Sequence, residues 1–135
     1  MFSTTITDPI CAAAHALTDV HRIARCHPGF PENPARSVLI AAIDRQVARR
    51  TPVVDESIPK HPETVGALID RLAAAADLAM HHLETLGGGS EITHRTWSDF
   101  ADLSLAYRDL VADLARGRKR LPPTATGPIP PKDLL

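Results

Sequence analysis

Proline sets the frame of this chain. Asp8-Pro9, Asn33-Pro34 and His61-Pro62 each place a proline directly ahead of a run with apolar residues every three or four positions. A capping residue followed by proline at the first helical position is how helices begin. The first run, about 9 to 27, aligns Ile10, Ala13, Leu17, Val20 and Ala24 on one face and stops at Cys26-His27-Pro28-Gly29. The second, about 34 to 50, stacks Leu39, Ile40, Ile43 and Val47, and Thr51-Pro52 ends it, because the residue before a proline leaves the helical region. The third, about 62 to 86, carries a stripe from Val65 through Leu68, Ile69, Leu72, Ala76, Ala79 and Leu83 to Leu86, closed by Gly87-Gly88-Gly89. The fourth, about 91 to 116, starts from Ser90 as cap and carries Trp97, Phe100, Leu103, Tyr107, Leu110, Val111 and Leu114, with Gly117 beyond its last turn.

No segment reads as a strand, since the β-branched run Thr51 to Val54 is broken by Pro52 and flanked by charge. The expected fold is therefore all-α. Short connections at 28–33 and 87–90 favour antiparallel neighbours, while 51–61 is long enough to cross the end of a bundle, so the architecture expected is an up-and-down four-helix bundle over residues 1–117. Residues 118–135 hold five prolines after the basic run Arg118-Lys119-Arg120. They cannot continue the helix and are expected to form an extended, partly disordered proline-rich tail.

Fifteen Lys and Arg against sixteen Asp and Glu give a formal charge of -1, so nothing in the charge balance draws the chain to nucleic acid or an anionic membrane. No stretch approaches the roughly 18 apolar residues of a membrane span, and the start MFSTTITDP lacks the pattern of a signal peptide, which makes a cytoplasmic location the expectation. Cys11 and Cys26 lie on one helix, roughly 22 Å apart, and cannot bridge each other there.

Polar residues at helical spacing are the candidate site. Glu63, Asp70, Asp77, His81 and Glu84 share about 60° of the third helix, nearly opposite its apolar stripe, and are expected to face solvent. Asp77, His81 and Glu84 have a spacing that can present ligands to a divalent ion, but such a site needs three or four ligands turned inward, and no metal is expected. His61 and Glu63 suit a helix start, where an acidic first turn complements the dipole. Arg71 projects about 100° from Asp70 and is expected to reach an acidic residue on a neighbouring helix, leaving Asp70 to solvent or to a groove beside His61. His21 lies on the inner flank of the first helix and needs a partner if enclosed. Tyr107, with Ser104 beside it, presents a hydroxyl in the middle of the fourth apolar stripe, and Trp97 and Asp99 lie one to three turns away.

The sequence has no phosphate-binding glycine loop, no G-x-S-x-G elbow, no C-x-x-C pair, no H-E-x-x-H and no E-x-x-E. No motif implies a cofactor. Two function classes follow. One is a non-catalytic helical module that binds a protein partner or small ligand through residues such as His61, Glu63, Asp70, Arg71, Trp97 and Ser104. The other is an enzyme with an inter-helix site in which His21 moves a proton, Tyr107 orients the substrate and Asp99 assists. Convergence of His21 and Tyr107 with a carboxylate in one pocket would mark the enzyme, whereas a filled core would mark the module. Leu78 and Val38, apolar residues off their own stripes, point to a homo-oligomer, with a dimer as the expected state.

The segment HPETVGALIDRLAAA at 61–75 and, after the glycine break, TWSDFADLSLAYRDLVADLARGRKRLP at 96–122 together resemble a family of small actinobacterial all-helical proteins catalogued as a domain of unknown function. That family's pattern is a His-x-Glu-Ser/Thr-hydrophobic-Gly helix opening, then Asp-Arg, then a Trp-bearing helix ending in Gly-Arg-Arg-Arg-Leu-Pro. The resemblance covers roughly half the chain. It implies a helical fold and singles out His61, Glu63, Asp70 and Arg71, but it implies no activity.

Overall fold

The computed structural model describes residues 8–123 as four helices: α1 Pro9–Cys26, α2 Ala35–Arg50, α3 Val65–Leu86 and α4 Glu91–Ala115. Three of the four starts are side-chain caps. Asp8 accepts the amide of Ile10, Thr64 that of Ala67 and Ser90 that of Ile92. At α2 the Asn33 side chain accepts the amide of Ala35, although the helix proper begins only after Pro34. The third helix therefore starts at Val65 and not at Pro62: Thr64 out-competes the proline as cap, and His61, Pro62 and Glu63 form its lead-in. At the other end Gly87 adopts φ +79° and its amide bonds back to the Leu83 carbonyl, a backbone state natural only to glycine.

The helices pack as an up-down-up-down bundle in which α3 is the hub. It packs against α1, α2 and α4, whereas α4 leans chiefly on α3. Residue pairings fix the directions: His21 meets Asp70 and Arg25 meets Asp77, so α1 and α3 run parallel. Close approach of α2 to α3 depends on Gly66, where an added Cβ would sit 2.6 Å from the Ile40 carbonyl oxygen and 2.6 Å from Asp44 Oδ1. The core gathers Leu17, Ile43, Val47, Val65 and Leu68, each almost fully enclosed, together with Ile10, Leu110 and Leu114. Burying such aliphatic side chains contributes roughly 1.5–3 kcal/mol apiece before the entropic cost of ordering the chain.

The apolar stripes read from the sequence are only partly covered. α3 and α4 are longer than α1 and α2 and run past them, so Leu83 and Leu86 at the far end of the α3 stripe are 39 % and 48 % exposed, and Ala24 on α1 is exposed as well. On α4 only Leu110 and Leu114 of the expected stripe are fully buried; Trp97, Phe100, Leu103 and Tyr107 are half-buried.

Beyond α4 the chain turns at Gly117, φ +68°, and comes back to the α2–α3 connection. There Arg120 and Lys60 form a single parallel bridge, with the Arg120 amide donating to Pro59 and the His61 amide donating to Arg120. The Arg120 guanidinium also donates to the carbonyls of Ile58 and Glu56. The remainder of the expected tail, 124–135, lies outside the described residues. No helix among those described is long and apolar enough to cross a membrane.

Candidate functional site

The polar groups converge where α1 and α2 meet α3. Asp70 is 4 % exposed, yet two side chains serve it through three nitrogens. Arg36, from the first turn of α2, donates through Nε at 3.1 Å and Nη2 at 2.6 Å to Oδ2. His21 Nε2 lies 2.8 Å from Oδ1. Burial opposes the charge on Asp70, but the Arg36 and His21 hydrogen bonds outweigh it and hold the carboxyl below its usual value. Arg36 in turn reaches Glu32 at 2.7 Å, and these carboxylates push its guanidinium pKa further up.

One to two turns along, the pattern repeats. Arg25, four residues after His21 on α1, grips Asp77 with a two-point contact, Nε to Oδ2 at 2.9 Å and Nη2 to Oδ1 at 3.1 Å. Its Nη1 lies 3.1 Å from His81 Nδ1, and since a guanidinium only donates, that ring nitrogen accepts and the imidazole proton sits on Nε2. The result is a ladder of two carboxylates from α3 against two arginines and a histidine from α1 and α2. It corrects the expectation of a solvated acidic face. Asp70 and Asp77 are buried because α3, as hub, has neighbours on more than one side, so its second face is covered by α1 and α2.

A third buried carboxylate, Asp44 of α2, accepts the Gly66 amide at 2.7 Å and so caps the first turn of α3 from a neighbouring helix. Burial raises its pKa, partly offset by the Gly66 amide and the Thr64 hydroxyl. Asp44, Arg25 and Arg36 were not among the residues singled out from sequence. The complementary spacing of His21 and Arg25 on one helix with Asp70 and Asp77 on another is a signal that could have found two of the pairs, and the sequence reading did not use it.

The remaining candidates are scattered. His61 Nδ1 folds onto the backbone of Glu63, 2.8 Å from its carbonyl oxygen, a contact within the α3 lead-in. Glu63 takes Arg71 at 2.5 Å, so Arg71 pairs inside its own helix–turn unit and not across a helix interface. With its side chain 58 % exposed, Arg71 can reach the Glu63 carboxylate without crossing to another helix. Ser104 donates to the Phe100 carbonyl one turn back, and Trp97 stacks edge-on against Phe100 with ring centres 5.8 Å apart. Asp99 is exposed in a shallow cleft with Arg71, Asp102, Leu103 and Ala106.

His21 and Tyr107 do not converge. Tyr107 packs on the core beside Asp8 and Cys11 at the start of α1, where burial pushes its hydroxyl pKa up. His21 lies ten residues further along the same helix, about 15 Å away. Asp77, His81 and Glu84 do not form a ligand set either, because Arg25 occupies both Asp77 and His81; among the described residues no three His, Cys, Asp or Glu side chains gather as metal ligands.

The geometry stands beside one finding from comparison. The profile of a family described as "protein of unknown function (DUF4254)" matches residues 19–122, which takes in the whole ladder, the α3 lead-in and α4. The chain belongs to that family. Neither the curated proteins nor the solved structures include a significant match.

Proposed function

We propose that this member of the family is a non-catalytic helical module that docks a protein partner on the face shared by α3 and α4. The observation that carries the reading is how the polar groups are spent. Asp70, Asp77, His21, His81, Arg25 and Arg36 are engaged with one another, and Asp44 with the α3 amide, so their capacity to hold or move a proton on a substrate is consumed by the fold. The α3–α4 face does the opposite. Leu78 is 40 % exposed at its centre and Ile92 48 % exposed toward its Gly87 end, while Arg95, Asp99 and Asp102 around Leu78 form no ion pair among the described residues. An apolar centre with charges of both signs at its rim is the composition of a protein-binding surface.

A proton-transfer enzyme built on His21 and Tyr107 has less support, since those residues stand at opposite ends of α1. A small-ligand site has some apolar room in the open groove of about 160 Å³ between α1 and α3, lined by Ala14, Thr18, Leu72, Ala73 and Ala76 with His15 at its edge. Few polar groups there would orient a ligand, which favours the protein-docking reading. A photo-crosslinking amino acid placed at position 78, with position 48 on the exposed side of α2 as control, tests it in the cell. A discrete adduct from position 78 alone is expected; no adduct, or equal labelling from both positions, overturns the reading.

A further inference from the structure

We infer that the partner on the α3–α4 face is a second copy of this chain, held in a two-fold arrangement with α4 antiparallel to its counterpart; this rests on the reading of that face as a docking surface. The register of the hairpin supplies the argument. Thr93 Oγ1 donates to the His82 carbonyl and His82 Nδ1 lies 3.2 Å from Thr96 Oγ1, so His82 is level with residues 93–96. One turn lower on α3, Leu78 is then level with Asp99 of the antiparallel α4. At about 1.5 Å per residue, Arg95 stands about 6 Å to one side of that level and Asp102 about 4.5 Å to the other.

A two-fold axis at the level of Leu78 exchanges these two heights. It sets Arg95 of each copy against Asp102 of the other, with Asp99 one turn from Arg95's counterpart and within reach of the same guanidinium. Within one copy Arg95 and Asp99 are four residues apart on an exposed stretch of helix and yet form no ion pair among the described residues, which leaves their charges for a partner. Leu78 then buries against its equivalent at the axis, while Ile92, seven residues or about 10 Å from that level, comes level with Ala106 of the other copy. A surface whose unpaired charges complement themselves under a two-fold rotation, around an apolar centre, fits its own copy better than a partner of single charge sign. The opposite side of the hairpin, with Met80 and Leu83 exposed, has no such charge pattern and serves as the internal control.

Light scattering on the purified full chain from about 1 μM to about 200 μM is the test, a range that spans the affinity expected of a small isologous interface. The mass should rise from one chain to two. Leu78→Asp and Arg95→Glu should each keep the chain monomeric with an unchanged melting curve, and Arg95→Glu combined with Asp99→Arg and Asp102→Arg should restore the dimer, whereas Leu83→Asp should leave it intact. Arg95 is exposed, so its substitution stays informative even if Leu78→Asp impairs folding. A wild-type mass of one chain throughout overturns the inference, as does a dimer broken by Leu83→Asp and indifferent to Leu78→Asp and Arg95→Glu. A monomeric chain that still gives a position-78 adduct with a different protein overturns the second copy alone and leaves the docking face standing.

Discussion

Asp44 Oδ1 sits 2.7 Å from the Gly66 amide, in the space that any Cβ on residue 66 would fill. One relationship thus couples two facts: α2 and α3 touch backbone to backbone, and the first turn of α3 is capped by a carboxylate from α2. The glycine in the HPETVG opening is there for this contact.

Gly66→Ala is expected to destabilise the fold by about 1–3 kcal/mol, because the Ile40 carbonyl is backbone and cannot swing aside. At the rough conversion for a domain of this size, that lowers the melting temperature by several degrees. Thermal denaturation followed by circular dichroism checks it; a melting curve identical to wild type would mean that α2 and α3 are not packed this closely.

Asp44 should behave differently toward asparagine and alanine. Asp44→Ala leaves the buried Gly66 amide without an acceptor and should cost about 1–3 kcal/mol. Asp44→Asn keeps an oxygen there and removes the buried charge. Because burial raises the Asp44 pKa above its unfolded value of about 3.9, the wild type loses stability as pH rises from about 4 through the folded-state value. Asp44→Asn should therefore be at least as stable as wild type at pH 7, with its advantage shrinking toward pH 4. Urea denaturation at several pH values measures both.

Asp70 carries the opposite sign. Its folded pKa is depressed, so its contribution is complete above about pH 4 and is lost as pH falls through the lower folded-state value. Arg36→Ala strands most of that charge, and with the Arg36 side chain itself 39 % exposed the expected loss is about 2 kcal/mol at pH 7, below the range for fully buried pairs. The loss should diminish in acid, where Asp70 is protonated in either variant. A pH-independent loss would point to packing of the Arg36 stem and not to the ion pair.

Arg71→Ala is expected to change the melting temperature by about 2 °C or less, since its pair with Glu63 is exposed and worth about 0.5 kcal/mol. Asp70→Ala, at the adjacent position, should cost several times more. Equal effects of the two substitutions would contradict the separation of roles seen here.

Much of the fold was legible because it depends on local chemistry. Apolar periodicity and the caps Asp8 and Ser90 define helix positions through interactions within a few residues, which is why the ends of α1 and α4 fall within one residue of those read from the chain. The start of α3 was misplaced by three residues because Pro62 and Thr64 both qualify locally and only the observed Thr64 cap decides between them.

The sequence by itself determined four amphipathic helices, the absence of any common catalytic motif and membership of a helical family. Tertiary structure decided which polar residues meet. A helical wheel assigns each helix one inside, and by that rule Asp70 and Asp77 belonged in water; α3 has neighbours on three sides, so the same residues became buried carboxylates, paired with Arg36, His21 and Arg25 from helices 34 to 52 positions away in the chain. Desolvation and pairing depend on what lies across the interface, and that information is non-local. The same holds for Leu83, which periodicity places on the covered stripe, because its exposure follows from α3 and α4 outrunning α1 and α2.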